Sequence, residues 1–166
     1  MVLRGLLVAH ASPSVADNRA VAVVGPDARL SVVDCHITSQ TGAGVVVEGG
    51  EAMLANAAIG PVAGVGILVA DDLESGEPGR ARLDGATVVQ NCGREGVAAV
   101  GSARVSLAGT TRIEGGRGGA VRAARGTLVE RGALVVVTGR VDGDVGVVEG
   151  VPQACPMKLP TYAGGE

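Results

Sequence analysis

Residues 26–37 read PDARLSVVDCHI, and the triplet in their middle, Ala28-Arg29-Leu30, returns along the chain. Its copies are Ala52-Met53-Leu54, Ala81-Arg82-Leu83, Ala103-Arg104-Val105 and a weaker Gly126-Thr127-Leu128. The third residues of these triplets are 24, 29, 22 and 23 positions apart, and the long step contains an insertion, DDLESGEPG, at residues 71–79. A second signature trails the first by 12 to 14 residues: Gly44-Val45-Val46-Val47, Gly66-Ile67-Leu68-Val69, Gly96-Val97-Ala98-Ala99 and Gly119-Ala120-Val121. Two short apolar strands therefore hold a nearly constant phase in every repeat.

A period in the twenties points to a solenoid, a propeller or an array. Leucine-rich repeats of this length need their Leu-x-x-Leu-x-Leu run and a helical side, and propeller blades need about 40 residues; neither pattern is present. What fits is a coil of two or three short parallel strands joined by tight turns, each coil stacked on the last at about 4.8 Å. In the triplet, Ala and Leu or Val then face inward and the residue between them faces solvent, the period-2 alternation of a strand. Composition agrees. Apolar residues are 46% of the 166, which excludes disorder, yet there is no Phe, no Trp and one Tyr, Tyr162. A narrow stacked core is filled by small aliphatic side chains that match from coil to coil, and an isolated ring has no neighbour to match. The 28 Gly lack the collagen period and punctuate Val-rich runs. The expectation is an all-β, right-handed parallel β-helix of about six coils over residues 1–150, with the Pro-containing residues 151–166 lying as a tail or cap.

The net charge of −3 conceals an asymmetry. Residues 1–79 carry three Arg against nine acids, whereas residues 80–140 carry ten Arg against four acids. Every cation in the basic stretch is Arg, the side chain that pairs in a fork with carboxylate, sulfate and phosphate. Cys35, Cys92 and Cys155 are odd in number and show neither CxxC nor Cys/His spacing, so they indicate neither a disulfide framework nor a zinc site; Cys35 and Cys92 are expected in the core. No segment reaches the roughly 20 apolar residues of a membrane span. The start of the chain reads as an abbreviated coil in preference to a signal peptide: GLLVAH from Gly5 matches GILVAD from Gly66, and RAVAVVG from Arg19 matches EGVAAVG from Glu95. An uncapped first coil leaves strand edges that either continue a longer chain or meet a second copy end to end.

The runs ARLSVVDCHITSQTGAGVVVEGG, RARLDGATVVQNCGREGVAAVG and SARVSLAGTTRIEGGRGGAVRAA resemble the β-helix repeats of the pectin-lyase-like superfamily in its degenerate bacterial form. The resemblance covers residues 5–150. It implies a fold, together with an extracellular or cell-surface setting; it does not imply one activity, because the superfamily spans lyases, hydrolases, adhesins and inactive modules. Its polyuronate-cleaving members hold carboxylates and Arg or Lys on the outer face of one sheet, to bind calcium and abstract a proton or to act as acid and base. Here the outward acids Asp34, Asp84, Glu48 and Glu51 do not cluster in phase. The acidic insertion with Asp71, Asp72, Glu74 and Glu77 reads as a solvated turn, as does VDGDVG with Asp142 and Asp144. His10 and His36 have no nucleophile at a meaningful spacing. No cofactor is expected, calcium entering only if the chain is a lyase.

The Arg set is the sharpest functional feature. Arg29, Arg82 and Arg104 occupy the same outward place in the triplet, and Arg82 and Arg104 belong to successive coils, so these two are expected in one column about 5 Å apart, with Arg80, Arg94, Arg117 and Arg122 widening the patch. Like charges at that spacing repel unless anions or acids intervene. Such a ladder is suited to an acidic polysaccharide, against which stands the lack of the aromatic stacking that sugar-binding surfaces usually add, and the alternative is ordinary polar strand surface; nucleic acid is not expected, since single strands need aromatic stacking platforms. The reading is a non-catalytic structural or ligand-binding module. Its first alternative is a fragment of a polysaccharide lyase or hydrolase, and its second a self-assembling scaffold of the bactofilin kind, suggested only by VVVTGRVDGDVGVVEG.

Overall fold

The computed structural model describes residues 1–12, 18–124, 127–143 and 145–147, and every regular element among them is a strand. In chain order these are β1 (Val2–Arg4), β2 (Leu7–His10), β3 (Arg19–Val24), β4 (Arg29–Val33), β5 (His36–Ser39), β6 (Ala43–Glu48), β7 (Glu51–Ala55), β8 (Ala58–Val62), β9 (Ile67–Ala70), β10 (Arg80–Asp84), β11 (Val88–Val89), β12 (Glu95–Ala99), β13 (Arg104–Leu107), β14 (Arg112–Glu114), β15 (Gly119–Ala123), β16 (Leu128–Arg131), β17 (Val136–Thr138), β18 (Val141–Asp142) and β19 (Val145–Val147). Every third strand pairs in parallel, so the chain winds three sheets side by side: β1-β4-β7-β10-β13-β16-β19, then β2-β5-β8-β11-β14-β17, then β3-β6-β9-β12-β15-β18. This is a parallel β-helix of six three-stranded coils with β19 opening a further turn. The tail at residues 151–166 lies outside the described residues.

Parallel pairing at one strand per coil puts equivalent residues directly over one another, and the core consists of those columns. In the second sheet Val8, Ile37, Ile59, Val89, Ile113 and Val137 form one. In the third, Val21, Val45, Ile67, Val97 and Val121 form another, and Val141 continues their register at the exposed end. In the first, Leu3, Val32, Leu54, Leu83 and Leu107 are stacked. Ile37, Ile67, Ile113, Leu54, Leu83 and Leu107 are all fully buried. Branched aliphatics of similar size repeat at the strand spacing, which suits the close packing a narrow cylinder requires. Cys35 and Cys92 are buried and unpaired, as expected of small core residues; Cys155 lies outside the described residues.

The register corrects the alignment of the triplets. Leu30 lies over Ala52 and not Leu54, and Ala81 lies over Val105 and not Ala103. Coil lengths in the first sheet, read along Leu30, Ala52, Ala81, Val105 and Val129, are 22, 29, 24 and 24 residues. A shift of two residues preserves which side chains face inward, so alternation alone cannot detect it. At the last triplet the shift is one residue: Val129, not Leu128, continues the inward row of Val105. At the start of the chain, RAVAVVG does match EGVAAVG, since Val21 and Val97 share a column. GLLVAH does not match GILVAD: Leu7–His10 pairs with His36–Ser39 in the second sheet, while Ile67–Ala70 belongs to the third.

Two devices turn the chain between sheets. After each strand of the first sheet from β1 to β13, one residue adopts a left-handed conformation: Gly5, Asp34, Asn56, Gly85 and Gly109, with φ between 52° and 62°. Where the residue is not glycine it is Asp or Asn, whose short polar side chains tolerate that region. Asn56 also donates from Nδ2 to Asp34 Oδ1 at 3.3 Å and accepts at Oδ1 from the Ala86 amide at 3.0 Å, tying successive corners together. The second device is the glycine just before the first inward residue of β6, β9 and β12, at Gly44, Gly66 and Gly96. A Cβ on Gly66 would lie 2.5 Å from Gly96 O, 2.6 Å from Val89 Cγ1 and 2.8 Å from Cys92 Sγ, because the backbone there presses into the core corner.

Gly66→Ala is therefore expected to cost about 1–3 kcal/mol through overpacking, whereas Gly76→Ala in the insertion, where no atom lies within 4 Å, costs about 1 kcal/mol from its positive φ alone; guanidinium unfolding of the two variants checks the order. Burial pushes the Cys92 thiol from 9.0 up to about 11. Between those values the unfolded chain loses the proton and the folded chain keeps it, so stability should fall as pH rises from 9 to 11. Unfolding titrations across that window should show a slope that disappears in Cys92→Ala.

Candidate functional site

The outer face of the first sheet carries two outward rows. In one, Arg29, Glu51, Arg80 and Arg104 lie on successive strands β4, β7, β10 and β13. In the other, two residues along, the order is Ser31, Met53, Arg82, Ser106 and Glu130. The expected column of Arg82 and Arg104 is thus corrected. Arg29 and Arg104 share a row, but the Arg beside Arg104 is Arg80, and Arg82 stands in the neighbouring row. The two-residue shift in the triplet alignment is the cause.

The rows differ in how their charges are satisfied. Arg29 is bonded to Glu51 across the strand pair. Arg82 folds back along its own strand and donates to Asp84 Oδ2 from Nη2 at 2.8 Å and from Nε at 3.2 Å. Burial raises the Asp84 pKa, but the hydrogen bonds from Arg82 and from the Gly85 amide, with the Arg82 charge, outweigh it and hold the carboxyl below its ordinary value. Among the described residues, neither Arg80 nor Arg104 has an ion-pair partner. Two guanidinium groups without counter-ions therefore stand on adjacent strands, roughly 5 Å apart at the backbone.

They line an open groove of about 240 Å³ together with Glu51, Ala81, Arg82, Val105, Ser106 and Glu130. Those residues come from four consecutive strands, so the groove runs along the solenoid axis and not along any one strand. Glu51 and Glu130 sit at its two ends. Sequence reasoning placed Glu51 away from the Arg set and did not single out Glu130, because neither position can be assigned before the turn lengths are known.

The remaining Arg do not widen this patch. Arg94 and Arg122 are drawn to Glu95, at 3.6 and 3.5 Å, on the third sheet and the corner preceding it. Glu95 is buried, and the two cations offset a carboxylate that is costly to bury alone. Arg117 lies in the turn before β15, in the equivalent corner one coil on. The outward acids are likewise scattered. Glu48 faces Arg19 at 3.8 Å, and Asp34 occupies a left-handed corner.

Within the insertion, Asp71 accepts from the Ser102 amide at 2.9 Å, and Asp72 accepts from the Ser75 amide and hydroxyl at 3.1 and 2.6 Å, bonds that hold the Asp72 carboxyl below its ordinary value. Asp142 pairs with Arg140 at 2.8 Å, while Asp144 lies outside the described residues. His36 donates from Nε2 to Gly60 O at 2.8 Å, and His10 bonds Ser39 at 2.9 Å. Among the described residues no three of His, Cys, Asp and Glu converge, and no helix is long and apolar enough to cross a membrane. In comparisons with known proteins, no protein family, curated protein or solved structure matches the chain.

Proposed function

We propose that the chain is a non-catalytic β-helix module that binds acidic polysaccharide on the outer face of its first sheet. The observation that carries this reading is the adjacent pair Arg80 and Arg104, without ion-pair partners among the described residues and set over an axial groove. Like charges on neighbouring strands destabilise a sheet by a few tenths of a kcal/mol to about 1 kcal/mol, and an anion between them removes that cost. Two charge-assisted, fork-shaped contacts then orient a carboxylate or sulfate. With no aromatic platform on this face among the described residues, affinity rests on charge and hydroxyl hydrogen bonds, so single-site binding is weak and a polymer gains by engaging more than one module.

The lyase or hydrolase alternative asks for carboxylates free to act beside Arg82 and Arg104. Of the carboxylates there, Asp84 and Glu51 each already hold an Arg, which among the described residues leaves Glu130 alone at one end of the groove; a single uncommitted carboxylate supports binding over the paired carboxylates of hydrolysis.

Retention of acidic polysaccharides on the immobilised chain is expected to be lost in the Arg80→Ala, Arg104→Ala double variant, and to fall steeply between 50 and 500 mM salt as exposed charges are screened over about 10 Å at 0.1 M. Arg94→Ala, on the other corner, should leave retention unchanged. Growth of ultraviolet absorbance from unsaturated sugar ends in the same incubations would replace this reading with the lyase.

A further inference from the structure

Along the groove the charges follow an order across four successive strands: Glu51 on β7, Arg80 on β10, Arg104 on β13 and, diagonally beyond, Glu130 on β16. The unopposed positive charge is therefore two strands wide, and a carboxylate closes it at each end. The two carboxylates stand three strand steps apart, roughly 14 Å along the axis. Glu51 is further committed to Arg29, so that beyond it the next guanidinium already has its counter-ion.

We propose that this groove selects a polysaccharide whose anionic groups are isolated, one charged sugar separated from the next by at least one neutral sugar, and that it rejects contiguous polyanions. The inference rests on the polysaccharide reading above and specifies its ligand class. A chain lying along the axis places one carboxylate or sulfate between Arg80 and Arg104. Its neighbouring sugars then meet Glu51 and Glu130, which accept hydrogen bonds from neutral hydroxyl groups and repel a second anion. Ser106, beside Arg82 on the groove floor, adds a hydroxyl that serves either partner. A nucleic acid strand carries a phosphate at every nucleotide and meets the same two carboxylates, so the end charges discriminate against it for the same reason as against a polyuronate.

The preference is opposite to that of a simple basic patch, which holds the densest polyanion most tightly. The test is titration of the purified chain with oligosaccharides of equal length from hyaluronan, which has one uronate per disaccharide, and from polygalacturonate, charged at every sugar, with neutral dextran and a single-stranded DNA as further probes. Hyaluronan is expected to bind at least about tenfold tighter than polygalacturonate, a difference of about 1.4 kcal/mol. The Glu51→Gln, Glu130→Gln double variant should close that gap by strengthening polygalacturonate binding. All four side chains are outward-facing, so matched unfolding midpoints confirm that the variants fold.

Equal or tighter binding of polygalacturonate or DNA by the unaltered chain, lost in Arg80→Ala with Arg104→Ala, overturns the spacing rule while leaving the anion site. An unchanged preference in the Gln variant overturns the role of the carboxylates. Binding of none of the probes overturns the polysaccharide reading itself.

Discussion

Everything in this molecule depends on the vertical register of parallel strands. Each coil donates its backbone hydrogen bonds to the next, so a residue is held over its counterpart at the strand spacing through the length of the solenoid. Whatever chemistry one coil presents at a position is therefore multiplied or cancelled by what the adjacent coils present there. Inside, multiplication wins: Ile37, Ile59, Val89 and Ile113 pack as one column of nearly constant cross-section. No Phe, Trp or Tyr enters the core among the described residues, because a single large side chain would need a matching partner above and below it.

Outside, the same rule governs charge. A repeated Arg would set like charges in line, and the chain meets this in three ways. Arg29 is answered by Glu51 on the next strand, Arg82 by Asp84 on its own strand, and Arg94 and Arg122 by the buried Glu95. Arg80 and Arg104 are the adjacent pair for which the described residues supply no such answer. A local departure from charge balance on an otherwise balanced face is the physical basis for reading that face as a site. The carboxylates at its ends make the imbalance short, which is why the proposed ligand is specified by the spacing of its anions.

The turns carry the adaptability of the fold. Left-handed corners at Asp34, Asn56 and the equivalent glycines keep the first bend constant from coil to coil. Variation in length is taken up elsewhere, as in the insertion after β9, where Asp71 and Asp72 are engaged by Ser102 and Ser75. A solenoid tolerates this because each coil contacts only its neighbours, and a loop that leaves the cylinder need not alter the column it returns to.

The amino-acid sequence by itself determined the solenoid. A period in the twenties, strands that alternate apolar and polar residues, recurrent glycine and the lack of Phe and Trp admit few other architectures, and the inward or outward sense of most positions followed from alternation. It also showed that Arg was concentrated in the second half of the chain. Only the tertiary structure decided which Arg stand together. Alternation has a period of two, so it is blind to a slip of two residues; Ala81-Arg82-Leu83 looks like Ala103-Arg104-Val105, yet the structure pairs Arg104 with Arg80. The true register is set by how many residues each turn absorbs, 22 in one coil and 29 in the next, and by the core columns that must close over one another. Those are properties of packing between coils, and no stretch of a single coil contains them.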